Sequence, residues 1–221
     1  MLDATDCPFA KHALQEAKAA DIDAFTKSYG ADQAAAVIAA TDGKAQVVFF
    51  NDAEFTVLKY TGQGFKEELA KCGGCKIVAE VDFKAAELGP TLQQKAQSVL
   101  LQHPEANAVK IPYTAAALLG IAPAVVASGR KDKLYVMGGE GFQPELDLIR
   151  TGKGVNAVNV TASDWTGWAA IDTLNSLFLG QPPADSGLGW QLADKDHNLP
   201  ASGPFVPAID FKSAYKKAWG K

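Results

Sequence analysis

The stretch Asn107–Gly139, "NAVKIPYTAAALLGIAPAVVASGRKDKLYVMGG", places two hydrophobic patterns side by side. Short apolar runs at 107–112 and 133–138 have the length and composition of buried strands. The apolar segment 114–128 between them has the length of a helix, interrupted by Pro123. A strand, a helix and a second strand in this order form a right-handed crossover between parallel strands. The stretch therefore predicts the repeating unit of an α/β sheet.

The same alternation continues on both sides of this stretch. The predicted strands begin 22 to 32 residues apart and are 44–52, 75–83, 107–112, 133–138 and 155–161. The predicted helices between and after them are 54–71, 90–104, 114–128, 144–153 and 164–181. A further helix is predicted at 8–21, a strand at 189–194 and a helix at 209–220. This order predicts an α/β fold with a doubly wound parallel sheet.

Composition excludes several classes of protein. The 221 residues carry a net charge of −4, and no run of Lys or Arg exceeds two, which argues against a nucleic-acid partner. No apolar window is long enough to predict a transmembrane helix. Residues 1–21 carry acidic side chains early and have no apolar core before a cleavage site, so they are not predicted to be a signal peptide.

The reactive side chains are few. The histidines, His12, His103 and His197, are scattered without metal-ligand spacing, and no Ser-His-Asp set is evident, so neither a metal, a cofactor nor an enzyme is predicted. The pair Cys72 and Cys75 has the Cys-x-x-Cys spacing but follows the C-terminal end of a predicted helix, where the dipole does not lower a thiol pKa. A structural disulfide or two free thiols are favoured over redox catalysis, and a disulfide would favour an exported protein.

In open parallel sheets, ligands bind outside the carboxyl ends of the strands. The residues at those positions are Asn51, Asp52, Glu54, Asp82, Phe83, Pro112, Tyr113, Thr114, the segment 138–142 and the segment 161–165. Acids, hydroxyls and aromatic rings dominate this set. The set contains no obvious nucleophile with a base.

The segment Gly139-Glu140-Gly141 begins like a dinucleotide-binding loop, but Pro144 occupies the third glycine position and Glu140 would repel a phosphate. A carboxylate at a strand end instead suits hydroxyl donors or a cationic ligand group, since an ionised acid accepts two strong hydrogen bonds. The alternative is that Glu140 is a solvated residue of a turn.

The segment 103–154, "HPEANAVKIPYTAAALLGIAPAVVASGRKDKLYVMGGEGFQPELDLIRTGKG", resembles the second-domain core of type I periplasmic solute-binding proteins of the ribose-binding kind. "GQGFKEELAK" (62–71) is similar to another helix of that family, and a weaker likeness extends from Gly30 to Gly180. The resemblance implies one complete Rossmann-like lobe at 28–160. It assigns residues 1–27 to a remnant of the first lobe, and 161–221 to a return helix and tail of that lobe.

The resemblance also implies a binding site. The strand-end acid of the family falls on Glu140, where Asp is usual, and the sugar-binding Arg falls on Lys59. The family's Asn falls on Thr114, and its hinge-side Gln falls near Thr161. Tyr113, Asp164 and Trp165 lie beside these positions in the sequence. The departures from the sugar pattern predict a ligand geometry different from that of ribose.

The implied function is the substrate-binding component of an ABC importer, which binds a sugar or similar small solute and is recognised by a membrane permease. The implied location is periplasmic or extracytoplasmic, with lipid anchoring through an upstream signal as one option. Two alternatives stay open. One is the effector-binding domain of a lactose-repressor-type regulator, and the other is a redox protein using Cys72 and Cys75.

Overall fold

The computed structural model describes residues 22–220, so the predicted helix at 8–21, with Cys7 and His12, lies outside the described residues. The strands are β1 (Gln46–Asp52), β2 (Lys76–Phe83), β3 (Ala108–Lys110), β4 (Tyr135–Met137), β5 (Ala157–Thr161) and β6 (Trp190–Asp194). The helices are α1 (Ile22–Ala40), α2 (Thr56–Leu69), α3 (Pro90–Gln102), α4 (Thr114–Ala116), α5 (Ala122–Ala127), α6 (Gln143–Arg150), α7 (Ser163–Phe178) and α8 (Phe211–Ala218). A 3-10 turn (Ala85–Glu87) precedes α3, and a π-helical turn (Ala117–Ile121) joins α4 to α5.

The strands form one sheet in the order β2-β1-β3-β4-β5-β6. The first five strands are parallel, and β6 adds to the edge antiparallel to β5, with Thr161 opposite Trp190. The chain moves outward in both directions from β1, with helices between the strands. The prediction of a doubly wound parallel α/β sheet is therefore confirmed, with the addition of one antiparallel edge strand.

The sheet is buried on both faces. Along β1, Val48 and Phe50 point into one core, whereas Val47 and Phe49 point into the other, because successive strand side chains alternate between faces. The first core is closed by α3, α5 and α6, and the second by α1 and α2. Covering both faces explains why the strand sequences are continuous apolar runs rather than alternating ones.

Helices α1 and α2 pack closely through two glycines. A Cβ atom on Gly30 would lie 1.9 Å from the carbonyl oxygen of Thr61, and a Cβ on Gly64 would lie 1.9 Å from that of Lys27. Any side chain at either position would push the helices apart. Gly64, the second glycine of "GQGF", is thus required by the contact between α1 and α2.

The apolar helix between β3 and β4 changes its winding before Pro123. Proline lacks the N–H for an intrahelical bond, and its ring collides with the preceding turn. The π-helical turn Ala117–Ile121 comes first, and Pro123 then lies in the first turn of α5. The interruption predicted at Pro123 is therefore a local widening of one continuous helical path.

Arg130 and the cysteine pair lie at the amino edge of the sheet. The guanidinium of Arg130 donates to the carbonyl oxygens of Leu100, His103, Pro104 and Ala106, which terminate α3. At the same edge, the Sγ atoms of Cys72 and Cys75 lie 2.16 Å apart, in the loop between α2 and β2. The carboxyl ends of the strands lie at the opposite edge.

The predicted lobe limits fall within continuous elements. Helix α1 runs unbroken through positions 27 and 28, and β6, from the predicted tail, joins the sheet of the complete lobe. The tail then folds over α7, where Trp168 stacks on Trp219 with ring centroids 5.3 Å apart. The assignment of 1–27 and 161–221 to a first lobe stays a prediction.

Candidate functional site

The carboxyl ends of β1, β3, β4 and β5 meet at one edge of the sheet, called here the rim. At the end of β1, Asp52 is fully buried, and its carboxylate accepts hydrogen bonds from the Tyr113 hydroxyl at 2.8 Å and the Glu54 amide at 3.0 Å. Burial raises the pKa of Tyr113, and the bond to Asp52 raises it further, so the phenol stays protonated. Tyr113 thereby fixes the end of β3 to the end of β1.

The loop after β4 is organised by a carboxylate of its own chain. Glu145, in the first turn of α6, is fully buried and accepts from the amides of Gly139 at 2.8 Å and Gly141 at 3.0 Å. It also accepts from the Thr114 hydroxyl at 2.6 Å. Loop amides at a helix N-terminus are an anion-binding arrangement, and here the Glu145 carboxyl occupies it. Burial raises the pKa of Glu145, whereas the hydrogen bonds from Thr114, Gly139 and Gly141 act in the opposite direction. A phosphate has no place in this loop, which agrees with the interpretation drawn from Pro144 and Glu140.

Glu140 lies at the top of this loop and is exposed. Its Oε2 accepts from the Thr114 amide at 3.2 Å, which leaves further acceptor positions on the carboxylate. Desolvation by the surrounding protein raises the pKa of Glu140; the Thr114 bond opposes this, while the Glu145 charge adds to it. The arrangement offers an oriented acceptor to a hydroxyl or amine of a small ligand.

A buried polar layer supports the loop from below. The Tyr29 hydroxyl of α1 lies 2.8 Å from the carbonyl oxygen of Gly139 and 2.7 Å from that of Asn159. Gln33 donates to the Gly138 carbonyl at 3.1 Å, while its Oε1 has no hydrogen-bond partner among the described residues. These contacts tie α1 to the ends of β4 and β5.

Lys110, at the end of β3, is the buried cation of this region, with 1% of its surface exposed. Its Nζ lies 5.2 Å from the centroid of the Phe49 ring. Burial lowers the pKa of Lys110 to about 7, whereas the negative charge of Glu145 acts in the opposite direction. The ammonium is inside the second core and is not a ligand contact.

The predicted site residues lie in three places in the structure. Tyr113, Thr114 and Glu140 are brought together by the contacts above. Lys59 is exposed on the second turn of α2, with its Nζ 5.7 Å from the ring centroid of its neighbour Tyr60, and no contact links it to the rim among the described residues.

The remaining predicted residues lie where β5 leads into α7. Thr161 ends β5, and Asp164, in the first turn of α7, pairs with the Lys212 ammonium at 2.8 Å. Trp165 stacks on Phe211, with ring centroids 5.5 Å apart and planes at 7°. The face of Trp165 that would stack on a sugar is thus in contact with the chain's own tail.

Sequence reasoning missed the residues that position the rim, namely Tyr29, Gln33, Lys110, Glu145 and Asn159. Glu145 had a usable signal, because an acidic residue in the first turn of a helix after a glycine loop is typical of an N-terminal cap. Tyr29, Gln33 and Asn159 are held by contacts between residues more than 100 positions apart, such as Tyr29 to Asn159, and Lys110 contacts the Phe49 ring, 61 positions away. No local pattern predicts such contacts.

A cleft of about 450 Å³ opens beside the rim. One wall is formed by Gly141–Gln143 and Thr161–Asp164, and the other by the tail segment Pro204–Lys212. Its volume falls in the range of small-molecule pockets, about 300–1,000 Å³. Within residues 22–220, no cluster of three or more metal-ligating side chains is present, and no helix is long and apolar enough to span a membrane.

An open α/β lobe with a polar rim and an adjoining cleft defines the binding-protein class of type I periplasmic proteins. A family model described as "Periplasmic binding protein domain" matches residues 23–182, and the chain belongs to that family. No curated protein matches the chain.

Solved structures of solute-binding proteins resemble this one. GanP, a glucose-galactose binding protein from Geobacillus stearothermophilus, has a TM-score of 0.69 and 20% identity, over 78% of this chain and 61% of that one. A carbohydrate transporter solute-binding protein from Agrobacterium radiobacter, in complex with D-arabinose, has a TM-score of 0.68 and 20% identity, over 78% and 60%.

A third similar structure is the 5-methylthioribose transporter solute-binding protein from Thermotoga lettingae, in complex with 5-methylthioribose. Its TM-score is 0.66 at 20% identity, over 87% of this chain and 65% of that one. The chain spans about three fifths of the length of these structures. At this identity, the likeness establishes the fold.

Proposed function

We propose that the protein is the substrate-binding component of an ABC importer and that it binds a sugar or a similar small polar solute at the rim. The observation that carries the proposal is the Glu140 carboxylate, which is oriented by the Thr114 amide at 3.2 Å at the end of β4. An ionised carboxylate accepts strong hydrogen bonds from paired hydroxyls, the group that a sugar presents in numbers. Family membership and the sugar-binding neighbours support the same class of ligand.

The roles of the site residues differ in this proposal. Glu140 and the half-buried Tyr113 contact the ligand, and Thr114 orients Glu140. Thr161 and Asp164 border the ligand on the β5 side, whereas the exposed Lys59 contacts the ligand only if its side chain turns towards the rim. Trp165 forms the support for Phe211 rather than a free stacking surface, since the two rings are already parallel.

The mechanism that follows is a shift between open and closed forms. In a two-lobed binding protein, the ligand stabilises the form in which both lobes contact it, and a permease distinguishes that form. The chain supplies one wall of such a cleft. The proposed partner is therefore a membrane permease, and the proposed location is extracytoplasmic.

Calorimetry on the protein and on Glu140→Ala tests the ligand site, with D-glucose, D-galactose, D-arabinose and D-ribose as probes. We expect a sugar that binds the protein to show no detectable binding to Glu140→Ala. Glu105→Ala removes an exposed carboxylate next to His103 at the amino edge and is the matched control, with unchanged affinity. Equal affinity in the protein and in Glu140→Ala would exclude Glu140 from the site.

Cell fractionation separates the importer component from the effector domain of a regulator, which has the same fold. An importer component is recovered outside the cytoplasm, whereas a regulator is recovered with the DNA. Recovery of the native protein in the cytoplasm would contradict the proposed role, even if a sugar binds.

A further inference from the structure

The cleft beside the rim has an apolar lining that a plain sugar does not use. Three of its lining residues are large hydrophobic side chains exposed to solvent: Phe142 at 47%, Val206 at 72% and Ile209 at 55%. Pro204, Phe205 and Pro207 extend the same wall. Exposed apolar side chains gathered around one concavity are typical of a binding surface.

The charged groups of the cleft already have partners within the chain. Asp164 is paired with Lys212 at 2.8 Å, and Asp210 caps α8 by accepting from the Ser213 amide at 3.1 Å. A charged ligand group would have to displace one of these contacts. An uncharged apolar group only has to displace water from carbon surface, which is favourable.

The cleft is continuous with the proposed sugar site. Gly141 belongs to the cleft wall, and its amide donates to Glu145, which holds the loop that carries Glu140. A Cβ atom on Gly141 would lie 2.5 Å from Cγ1 of Val160, so the backbone here is packed against β5. Gly141 directly follows Glu140 in the chain, so the cleft wall begins one residue after the carboxylate. A ligand held by Glu140 can extend over Gly141.

We propose that this cleft binds an uncharged apolar substituent of the ligand, so that the preferred ligand is a sugar bearing an alkyl, alkylthio or aryl group. The inference rests on the proposed function and specifies the class of sugar. Glu140 holds the hydroxyl-bearing ring, and the wall formed by Phe142, Val206 and Ile209 covers the substituent.

Matched pairs of probes test the inference: D-ribose with 5-methylthio-D-ribose, and D-glucose with phenyl β-D-glucopyranoside. Removing a few methylene-sized groups from water corresponds to roughly tenfold in affinity. We therefore expect the protein to bind the substituted member of a pair at least about tenfold more tightly. In Val206→Ser, a change at a largely exposed position, the ratio between the two members falls towards one while the affinity for the plain sugar is kept.

Leu101→Ser is the matched control, because Leu101 is 79% exposed near the C-terminal end of α3 and away from the rim. It keeps the full ratio. Equal affinities within both pairs, or a ratio unchanged by Val206→Ser, overturn the inference while leaving sugar binding in place. If none of the four probes binds the protein, the proposed function and the inference are both overturned. If Glu140→Ala binds neither the plain nor the substituted sugars, the result supports one shared site.

Discussion

Replacement of Glu145 by Gln tests the account of the rim most directly. The two side chains have nearly the same shape, so the change alters charge and hydrogen bonding and leaves packing intact. The Glu145 Oε1 accepts from the Gly139 amide, and Oε2 accepts from the Gly141 amide and the Thr114 hydroxyl. In the variant, one of these oxygens becomes an NH₂ group that faces a donor.

The expected loss follows from counting those bonds. If the Gln oxygen keeps the Gly141 and Thr114 contacts, the Gly139 amide and the new NH₂ are both left buried without an acceptor, at about 1–3 kcal/mol each. The two remaining bonds lose charge assistance, which is about 1 kcal/mol per bond. The neutral side chain no longer bears the desolvation that raises the pKa of Glu145, which offsets part of this. A net loss of about 2–4 kcal/mol is expected, so the variant folds but is weakened.

Urea unfolding at neutral pH measures this loss. A decrease of that size lowers the midpoint by roughly 1–2 M. Glu87→Gln is the matched control, since Glu87 accepts the Lys84 backbone amide and pairs with Lys95 near the surface. Because solvent screens such contacts, we expect its midpoint to fall much less than that of Glu145→Gln. If Glu145→Gln is as stable as the wild type, Glu145 is protonated in the folded protein and donates one of these bonds itself, and the buried-anion account of the loop is wrong.

Two further predictions concern residues away from the ligand. Burial lowers the pKa of Lys110 to about 7 in the folded protein, whereas the unfolded chain keeps the ordinary value of about 10.5. Between pH 7 and 9 the unfolded chain therefore binds more protons, and the free energy of unfolding rises with pH by up to about 1.4 kcal/mol per pH unit. Chemical unfolding across this range should show that rise in the wild type and a flatter profile in Lys110→Met. For the Cys72–Cys75 bridge, mass spectrometry should find the protein lighter by two hydrogen atoms before reduction than after it. Replacing both residues by Ser should lower the free energy of unfolding by about 2 kcal/mol. Sugar affinity should stay unchanged, because the pair lies at the amino edge of the sheet, and an altered affinity would contradict that placement.

The alternation of strands and helices was predictable because it depends on local periodicity. Residues 47–50 form a continuous apolar run, as a strand with two buried faces requires, and the helices between the strands carry one apolar stripe. The ends of the strands were less predictable, since β3 covers only Ala108–Lys110 whereas the predicted strand covers 107–112. Ile111, just after the end of β3, still donates its amide to the Met137 carbonyl and is as buried as the residues of the strand.

The candidate site was only partly predictable. The rule that ligands bind at the carboxyl ends of strands found Tyr113, Thr114 and Glu140. The rule did not find Glu145, whose side chain extends from the first turn of α6 back to the loop before that helix. The position of a residue in a sequence pattern does not specify the direction in which its side chain points. Nor did it foresee that Trp165 would stack on Phe211, 46 positions further along the chain.

The sequence by itself determined the fold class and the order of its elements, since these depend on periodicity. Only the tertiary structure decided which side chains share the rim, which carboxylate is buried and where the tail lies. Those outcomes arise from contacts between segments far apart in the chain, such as Tyr29 with Asn159 and Asp164 with Lys212. Such contacts form only after the crossovers have brought the strand ends to one edge, and no short window of sequence contains both partners.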